Sequence, residues 1–382
     1  MSKVNVKSGR TAKDVVASPD RRRFLNTAAL GAAATAAAAS LPSPAISQGR
    51  KEWRFASAYP KNAPGLLTAA NLFADFVGKA SVGRLTVKVH GGGEIVPPFE
   101  TADAVSVGTI DMGQGYPTYW AGKLPALNFL GPIPMMMTGQ EINAWYLYGG
   151  GQALADKIYG QLGLKFFQLG NTMQQGAGWY NREIKSMEDF KGLKMRIGGL
   201  GGQVFRAAGA TPVSMPLGEV IQSMTTGAID AVEFVGPLND LAFGLHKVAK
   251  FAYGPGWIEP HGMLDGFINM KAWEALSPDL KEIVAGGCMY ANAVNMAEYT
   301  ARNAAAVQTL ASEHKMTYRQ MPDDVLKAMG ELSGKVVAEI ANKDPLSKEV
   351  LQSLLKFRQT VMVFSERELL NARALDYKYI DM

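Results

Sequence analysis

The sequence holds a single cysteine, Cys288, so no intramolecular disulfide can form. Cys288 stands in an apolar helical pattern and reads as a buried small hydrophobe rather than a reactive thiol. Histidine is almost as scarce. His90, His246, His261 and His314 are the whole complement, and no two share a metal-ligand spacing such as H-x-x-x-H. Neither a G-x-S-x-G nucleophile turn nor a G-x-x-x-x-G-K-[ST] phosphate loop occurs. Long apolar runs are missing too, since no stretch approaches the 18 or so residues a membrane helix needs. These absences weigh against a disulfide scaffold, a hydrolase, a nucleotide enzyme and a membrane-spanning chain.

A surplus of one charge sign is also absent from most of the chain. The net charge of +5 arises within residues 1–47, where Lys3, Lys7, Arg10, Lys13, Arg21, Arg22 and Arg23 face only Asp14 and Asp20. The remainder is neutral and offers no basic stripe for nucleic acid. The same segment reads as an export signal. Twin arginines (Arg21, Arg22) precede Phe24 and Leu25, an Ala-rich run follows from Thr27 to Ser40, and Ala45-Ile46-Ser47 makes a small-x-small cleavage site. Read as a membrane anchor, that run is too short and too weakly apolar.

What is present is a globular composition, 47% hydrophobic and 19% charged, over 382 residues, enough for two domains. Past residue 48, strand and helix patterns alternate and favour an α/β fold. "EWRFASA" and "LTVKVH" read as strands. Residues 65–80 read as a helix with Leu66, Ala70, Phe73 and Val77 on one face. An internal echo follows. "ETADAVSVGTIDMGQ" (100–114) and "EVIQSMTTGAIDAVE" (219–233) each place a glycine (Gly108, Gly227) and an Ile-Asp pair at matching steps, which predicts two similar lobes. Ser277-Pro278 begins a helix that runs without proline to about Lys315. From Pro345 on, Val350, Leu354, Phe357, Val361 and Phe364 make one apolar stripe on a helix of roughly thirty residues. The stripe can pack on its own domain or dock on a second subunit.

The stretch "GLKMRIGGLGGQVF" (192–205) has the look of a nucleotide turn but lacks G-x-G-x-x-G, and its strand carries Lys194 and Arg196. The glycines therefore serve close approach of a ligand or an opposing backbone beside Arg196. Other polar residues fall at ends of apparent strands: Gln175, Glu233 with Phe234, and Glu259. Strand ends line ligand crevices in open α/β sheets. One Arg with two Glu leaves a net negative cavity, which admits an anion only alongside a cation. Arg196 suits a carboxylate, and Gln175, Glu233 and Glu259 offer hard oxygens for Na⁺ or Ca²⁺. Each residue also has a plainer role open to it: an ion pair for Arg196, solvated loop carboxylates for the glutamates, backbone satisfaction for Gln175. His261, beside Glu259, reads as structural rather than as a base.

Together "FASAYPKNAPG", "GGGEIVPPFETADAVSVGTIDMG", "YWAGKLPA", "INAWYLYGGG", "GNTMQQGAGWYNREI", "DFKGLKMRIGG", "GAIDAVEFVGP" and "YGPGWIEP" resemble the DctP-type periplasmic solute receptors of TRAP transporters, especially their 2-oxoacid-binding branch. The resemblance covers essentially the whole chain after the leader. It implies an α/β, two-lobed periplasmic binding protein fold of type II, with hinge-crossing strands, a long lobe-spanning helix and a C-terminal dimerisation helix. The implied division is 1–47 leader for twin-arginine export to the periplasm, 48–172 with 262–301 lobe I, 173–261 with 302–344 lobe II, and 345–382 C-terminal helix. It further implies that Arg196 grips the substrate carboxylate and that Tyr119 and Trp120 face it from the first lobe. A bridging Na⁺ or Ca²⁺ would be held by Gln175, Glu233, the Phe234 carbonyl and Glu259. Gln175 and Phe234 would also touch substrate. Membrane permease subunits and a second copy of the chain are the implied partners. The family's tryptophan after the glutamate is Phe234 here, and "GWIEPHG" carries Ile258 and His261, so the apolar wall is expected to differ while a backbone metal contact is not. A 2-oxo acid such as pyruvate is the expected ligand; lactate with Ca²⁺ or a dicarboxylate are alternatives, and a cofactor-bearing periplasmic oxidoreductase is the competing class.

Overall fold

A computed structural model describes residues 49–366, so the leader expected in 1–47 and the last part of the expected C-terminal helix lie outside the described residues. Two mixed sheets organise the chain. The first contains β1 (Lys51–Ser57), β2 (Leu85–His90), β3 (Met112–Gly115) and β4 (Leu164–Asn171), and the second contains β5 (Gly178–Tyr180), β6 (Lys194–Arg196), β7 (Thr211–Val213), β8 (Ala231–Val232) and β9 (Phe251–Gly254). The chain then returns to the first sheet with β10 (Met263–Asn269) and adds β11 (Tyr318–Gln320) to the second. Strand orders are β2-β1-β3-β10-β4 and β11-β9-β5-β8-β6-β7. In the first sheet β10 lies antiparallel between β3 and β4, and in the second β5 is antiparallel to β8 and β9. These two sheets are the cores of two lobes.

The expected elements are in place. The helix Leu66–Ala80 buries Leu66, Ala70, Phe73 and Val77, and β2 coincides with "LTVKVH". The echoed segments fold alike. In each lobe a short helix, Thr101–Ser106 or Val220–Thr226, stops at a left-handed glycine, Gly108 at φ 79° or Gly227 at φ 73°. The following Asp then braces the neighbouring strand. Asp111 Oδ2 accepts from Arg54 N at 2.7 Å, and Asp230 Oδ2 from Lys194 N at 3.0 Å.

A second correspondence was hidden by sequence distance. Asp265 in the first lobe accepts from Trp120 Nε1 at 2.8 Å, from Gly115 N at 2.7 Å and from the Tyr159 hydroxyl. Asp240 in the second accepts from Trp179 Nε1 at 2.8 Å, Tyr318 Oη at 2.6 Å and Gly236 N at 3.2 Å. A buried carboxylate needs such donors.

The chain passes between the lobes at 172–177 and 255–262, and these passages touch where Thr172 N donates to the Gly262 carbonyl at 2.9 Å. The third link is the helix Pro278–Ser312, 35 residues and about 50 Å long at ~1.5 Å per residue. Ser277 precedes its first-turn proline, as expected. One face carries Asn295, Tyr299 and Asn303. Asn295 Nδ2 donates to the Gly65 carbonyl at 2.8 Å, Tyr299 Oη to Asn239 Oδ1 at 3.0 Å, and Asn303 Oδ1 accepts from Leu238 N at 2.9 Å, which ties the helix to both lobes. Cys288 is buried on it, and burial pushes the thiol up.

The apolar stripe of the helix Pro345–Phe364 is largely satisfied within its own chain, since Val350 and Leu354 are buried in the first lobe's core with Phe357 and Val361 packed against it. Within the stripe, Phe364 is 59% exposed. The helix Asp323–Ala341, expected in the second lobe, straddles both: Val325 and Met329 join the second lobe's core, Val337 and Ala341 the first's. Among the described residues no helix is long and apolar enough to cross a membrane.

Candidate functional site

The ends of β3, β6 and β8 and both passages between the lobes converge on one cavity of about 30 Å³. Gln175 and Glu259 come from the passages, Arg196 from the last residue of β6, Glu233 and Phe234 from just beyond β8, and Tyr119 from the turn after β3. Residues separated by up to 140 positions in sequence thus share one space. Of the expected site residues only Trp120 is elsewhere. It is 1% exposed and its indole N–H is spent on Asp265. On the short turn Pro117–Trp120, consecutive side chains point apart, so Tyr119 borders the cavity while Trp120 enters the core.

Arg196 is held by backbone. Its Nη1 donates to the Glu233 carbonyl at 2.8 Å and its Nε reaches the Met215 carbonyl at 3.4 Å, while Glu233 N donates back to the Arg196 carbonyl at 2.9 Å. The Glu233 carboxylate lies farther off, with Oε2 3.8 Å from Nη1. Glu259 Oε2 accepts from the Tyr116 hydroxyl at 2.7 Å. Gln175 is fixed from two sides, by its N–H donating to the Glu259 carbonyl at 3.1 Å and by Nε2 donating to Thr172 Oγ1 at 3.1 Å. Two glycines permit this packing. A Cβ at Gly262 would stand 2.5 Å from Gln175 Nε2, and one at Gly256 would stand 1.5 Å from the Gln175 carbonyl oxygen.

Two acceptors in this cavity have no donor. Gln175 Oε1 and Glu233 Oε1 are buried and unpartnered, a costly state for a polar atom. Burial pushes the Glu233 carboxyl well above the usual range, reinforced by the charge of Glu259 and opposed by Arg196. Burial raises Glu259 as well, against the Tyr116 hydrogen bond and Arg196. Two carboxylates that resist ionising together keep their charge when a cation joins them. Among the described residues no three His, Cys, Asp or Glu side chains could hold a metal by themselves. A cation fits instead a mixed oxygen set of amide, carboxylates, backbone carbonyl and the ligand's own oxygens, all hard donors.

His261 is buried, its Nδ1 has no partner, and burial pushes the imidazole down to about 3. It does not border the cavity, in keeping with a structural role. Burial raises the Tyr119 hydroxyl, which the neighbouring Arg196 charge counters. The sequence reading missed Tyr116, Tyr59, Thr172 and the apolar wall of Leu66, Leu217, Val235 and Leu264. Tyr116 could have been found, because it follows β3 directly and so stands at a strand end like the others.

A model of the bacterial extracellular solute-binding proteins of family 7, DctP, matches residues 55–344. The chain belongs to the DctP family. A curated relative, the monocarboxylate 2-oxoacid-binding periplasmic protein of Nostoc sp. strain PCC 7120, is 36% identical over 351 residues, covering 90% of this chain and 95% of its own. A TRAP periplasmic solute-binding protein of Pseudoalteromonas atlantica T6c, solved with bound sodium and pyruvate, superposes with a TM-score of 0.83 at 32% identity, over 86% of this chain and all of that one. A TRAP solute-binding protein of Bordetella bronchiseptica RB50, solved as a mixed-occupancy dimer with copurified calcium and picolinate, gives a TM-score of 0.82 at 31% identity over 85% and 96% of the two chains. The DctP family consists of transport receptors, so the converging side chains form a binding site and not a catalytic one.

Proposed function

We propose that this DctP protein captures a short monocarboxylic 2-oxo acid, pyruvate first among them, together with Na⁺ or Ca²⁺. Arg196 takes the carboxylate. Gln175, Glu233, the Phe234 carbonyl and Glu259 hold the cation, which also meets the acid's oxygens. The observation that carries this reading is the pair of orphaned acceptors, Gln175 Oε1 and Glu233 Oε1, in the same buried cavity as an arginine whose partners are carbonyls. A lone anion would face two glutamates there, whereas an anion paired with a cation meets opposite charge on both sides. The aliphatic wall of Leu66, Leu217, Val235 and Leu264 suits a short apolar side chain. The bound acids of the structural neighbours, pyruvate and picolinate, are both monocarboxylates.

In this reading the leader in 1–47 sends the chain to the periplasm by the twin-arginine route, and the loaded receptor delivers its acid to TRAP permease subunits in the membrane. The exposed end of the C-terminal helix, with Val363 and Phe364, serves a homodimer. A thermal-shift panel tests the ligand assignment. Pyruvate with Na⁺ or Ca²⁺ is expected to raise the melting temperature more than lactate or succinate. A larger response to succinate, or none to any 2-oxo acid, would overturn it.

A further inference from the structure

One of the glycines after Arg196, Gly199, faces the opposite lobe. The helix Gly199–Ala207 belongs to the second lobe, and its first residue, Gly199, adopts φ +57° directly against Thr118 of the first. A Cβ at Gly199 would stand 2.8 Å from Thr118 Cγ2 and 3.2 Å from Thr118 Cβ. The same methyl lies 2.8 Å from where a Cβ on Gly131 of the first lobe would be. Thr118 Cγ2 therefore sits in a hole made by one glycine from each lobe. The next residue, Leu200, is 1% exposed, and the apolar cluster it joins is the first lobe's core, with Trp120, Leu127 and Phe129. A side chain of one lobe is thus buried among residues of the other.

This seam divides two cavities. Thr118, Tyr119 and Gly198 border both the ligand cavity and an outer cleft of about 440 Å³ that also carries Gln203 and Arg206 and no carboxylate. We propose that Gly198–Gly202 is the latch of the closed receptor: Leu200 is the bolt, buried only when the lobes shut, and Gly199 supplies the clearance that lets it seat over Thr118. The inference rests on the reading of this chain as a receptor that closes on its ligand. Burial of Leu200 stabilises the shut state independently of ligand contacts, so it sets how long the ligand is held.

The test uses spin labels at Val107→Cys and Lys185→Cys, exposed positions in the two lobes, with the buried Cys288 left unlabelled. Distances are read by pulsed EPR with and without pyruvate and Na⁺, and pyruvate dissociation is timed by stopped flow. Leu200→Ala is expected to shift the distances toward open states and to speed dissociation on the order of tenfold or more. Gly199→Ala should do the same, and adding Thr118→Ser, which removes the obstructing methyl, should reverse much of it. Unchanged distances and dissociation in Leu200→Ala would overturn the latch. So would a Gly199→Ala defect that Thr118→Ser leaves intact, because that defect would come from backbone strain. If the unmutated protein binds no 2-oxo acid, the ligand assignment fails, while the ligand-free distances still decide the latch.

Discussion

Arg196 donates to the main-chain carbonyl of Glu233 at 2.8 Å, while the carboxylate of the same residue stands 3.8 Å from that nitrogen. The guanidinium is positioned by neutral carbonyls and only loosely countered by charge. Had the two side chains made a close bidentate pair, both charges would have been spent on each other. As built, the arginine keeps attraction for an incoming carboxylate, and Glu233 keeps one oxygen without a donor.

Arg196→Ala is expected to weaken carboxylate binding by ~2–5 kcal/mol, as removal of one partner of a buried charge pair does. Arg196→Lys should recover only part of this, since an ammonium lacks the planar fork. Titration calorimetry reads both; an unchanged affinity in Arg196→Ala would remove Arg196 from the site, and one in Arg196→Lys would show that charge alone suffices there.

Glu233→Gln should change sign with the buffer. Without Na⁺ or Ca²⁺ the variant is expected to melt at or above the temperature of the unmutated protein, because a buried carboxylate pushed well above its usual range is an unfavourable charge. With either cation present the order should reverse, because only the carboxylate gains stability from the ion. Melting curves in cation-free and cation-containing buffers decide it. A variant less stable in both would show that Glu233 has a structural role alone.

Gly262→Ala places a Cβ 2.1 Å from Thr172 Oγ1 and 2.5 Å from Gln175 Nε2. The Gln175 amide must then move, and its Oε1 with it. Cation affinity should fall at least tenfold, with a smaller loss of carboxylate affinity in saturating cation. Equal losses of both would mean that the passage itself, not Gln175, had shifted.

Asp265 supplies a pH test away from the cavity. Burial outweighs its three donors and pushes its carboxyl up to about 6, above the unfolded value of about 3.9. The folded state therefore holds this proton more tightly, so the contribution is complete below pH ~4 and is lost as pH rises to about 6. Two units correspond to roughly 3 kcal/mol. His261, pushed down to about 3, acts oppositely across the whole of that range, so the comparison must be between the unmutated protein and Asp265→Asn. Urea unfolding from pH 4 to 7 should show the difference between the two changing by that amount, with the unmutated protein losing ground as pH rises. A pH-independent difference would contradict the assignment.

Much of this architecture is legible in the residues. The Gly108 and Gly227 turns announce two like lobes, because a left-handed stop before an Ile-Asp pair is a local feature, and Ser277-Pro278 marks the long helix for the same reason. Arg196, Gln175, Glu233 and Glu259 were found because each stands at or just past a strand end. What escaped depends on distant partners. Trp120 looks like a ligand-facing neighbour of Tyr119 until Asp265, 145 residues on, claims its indole. The stripe of Val350, Leu354, Phe357 and Val361 specifies an apolar face, but periodicity alone does not say which surface covers it. The glycines of "GGLGG" are legible as a close approach. That the approaching group is Thr118 of the other lobe is visible only in the folded chain.

The most direct measurement is isothermal titration of residues 48–382, unfolded and refolded to shed any carried-over ligand, with pyruvate in Na⁺, in Ca²⁺, and in chelator with a bulky organic cation. The bridged-ion account predicts micromolar or tighter binding with Na⁺ or Ca²⁺ and a loss of at least a hundredfold without them. Tight binding that is indifferent to the cation would contradict it, leaving Arg196 to act alone and giving the orphaned oxygens of Gln175 and Glu233 no ion to hold.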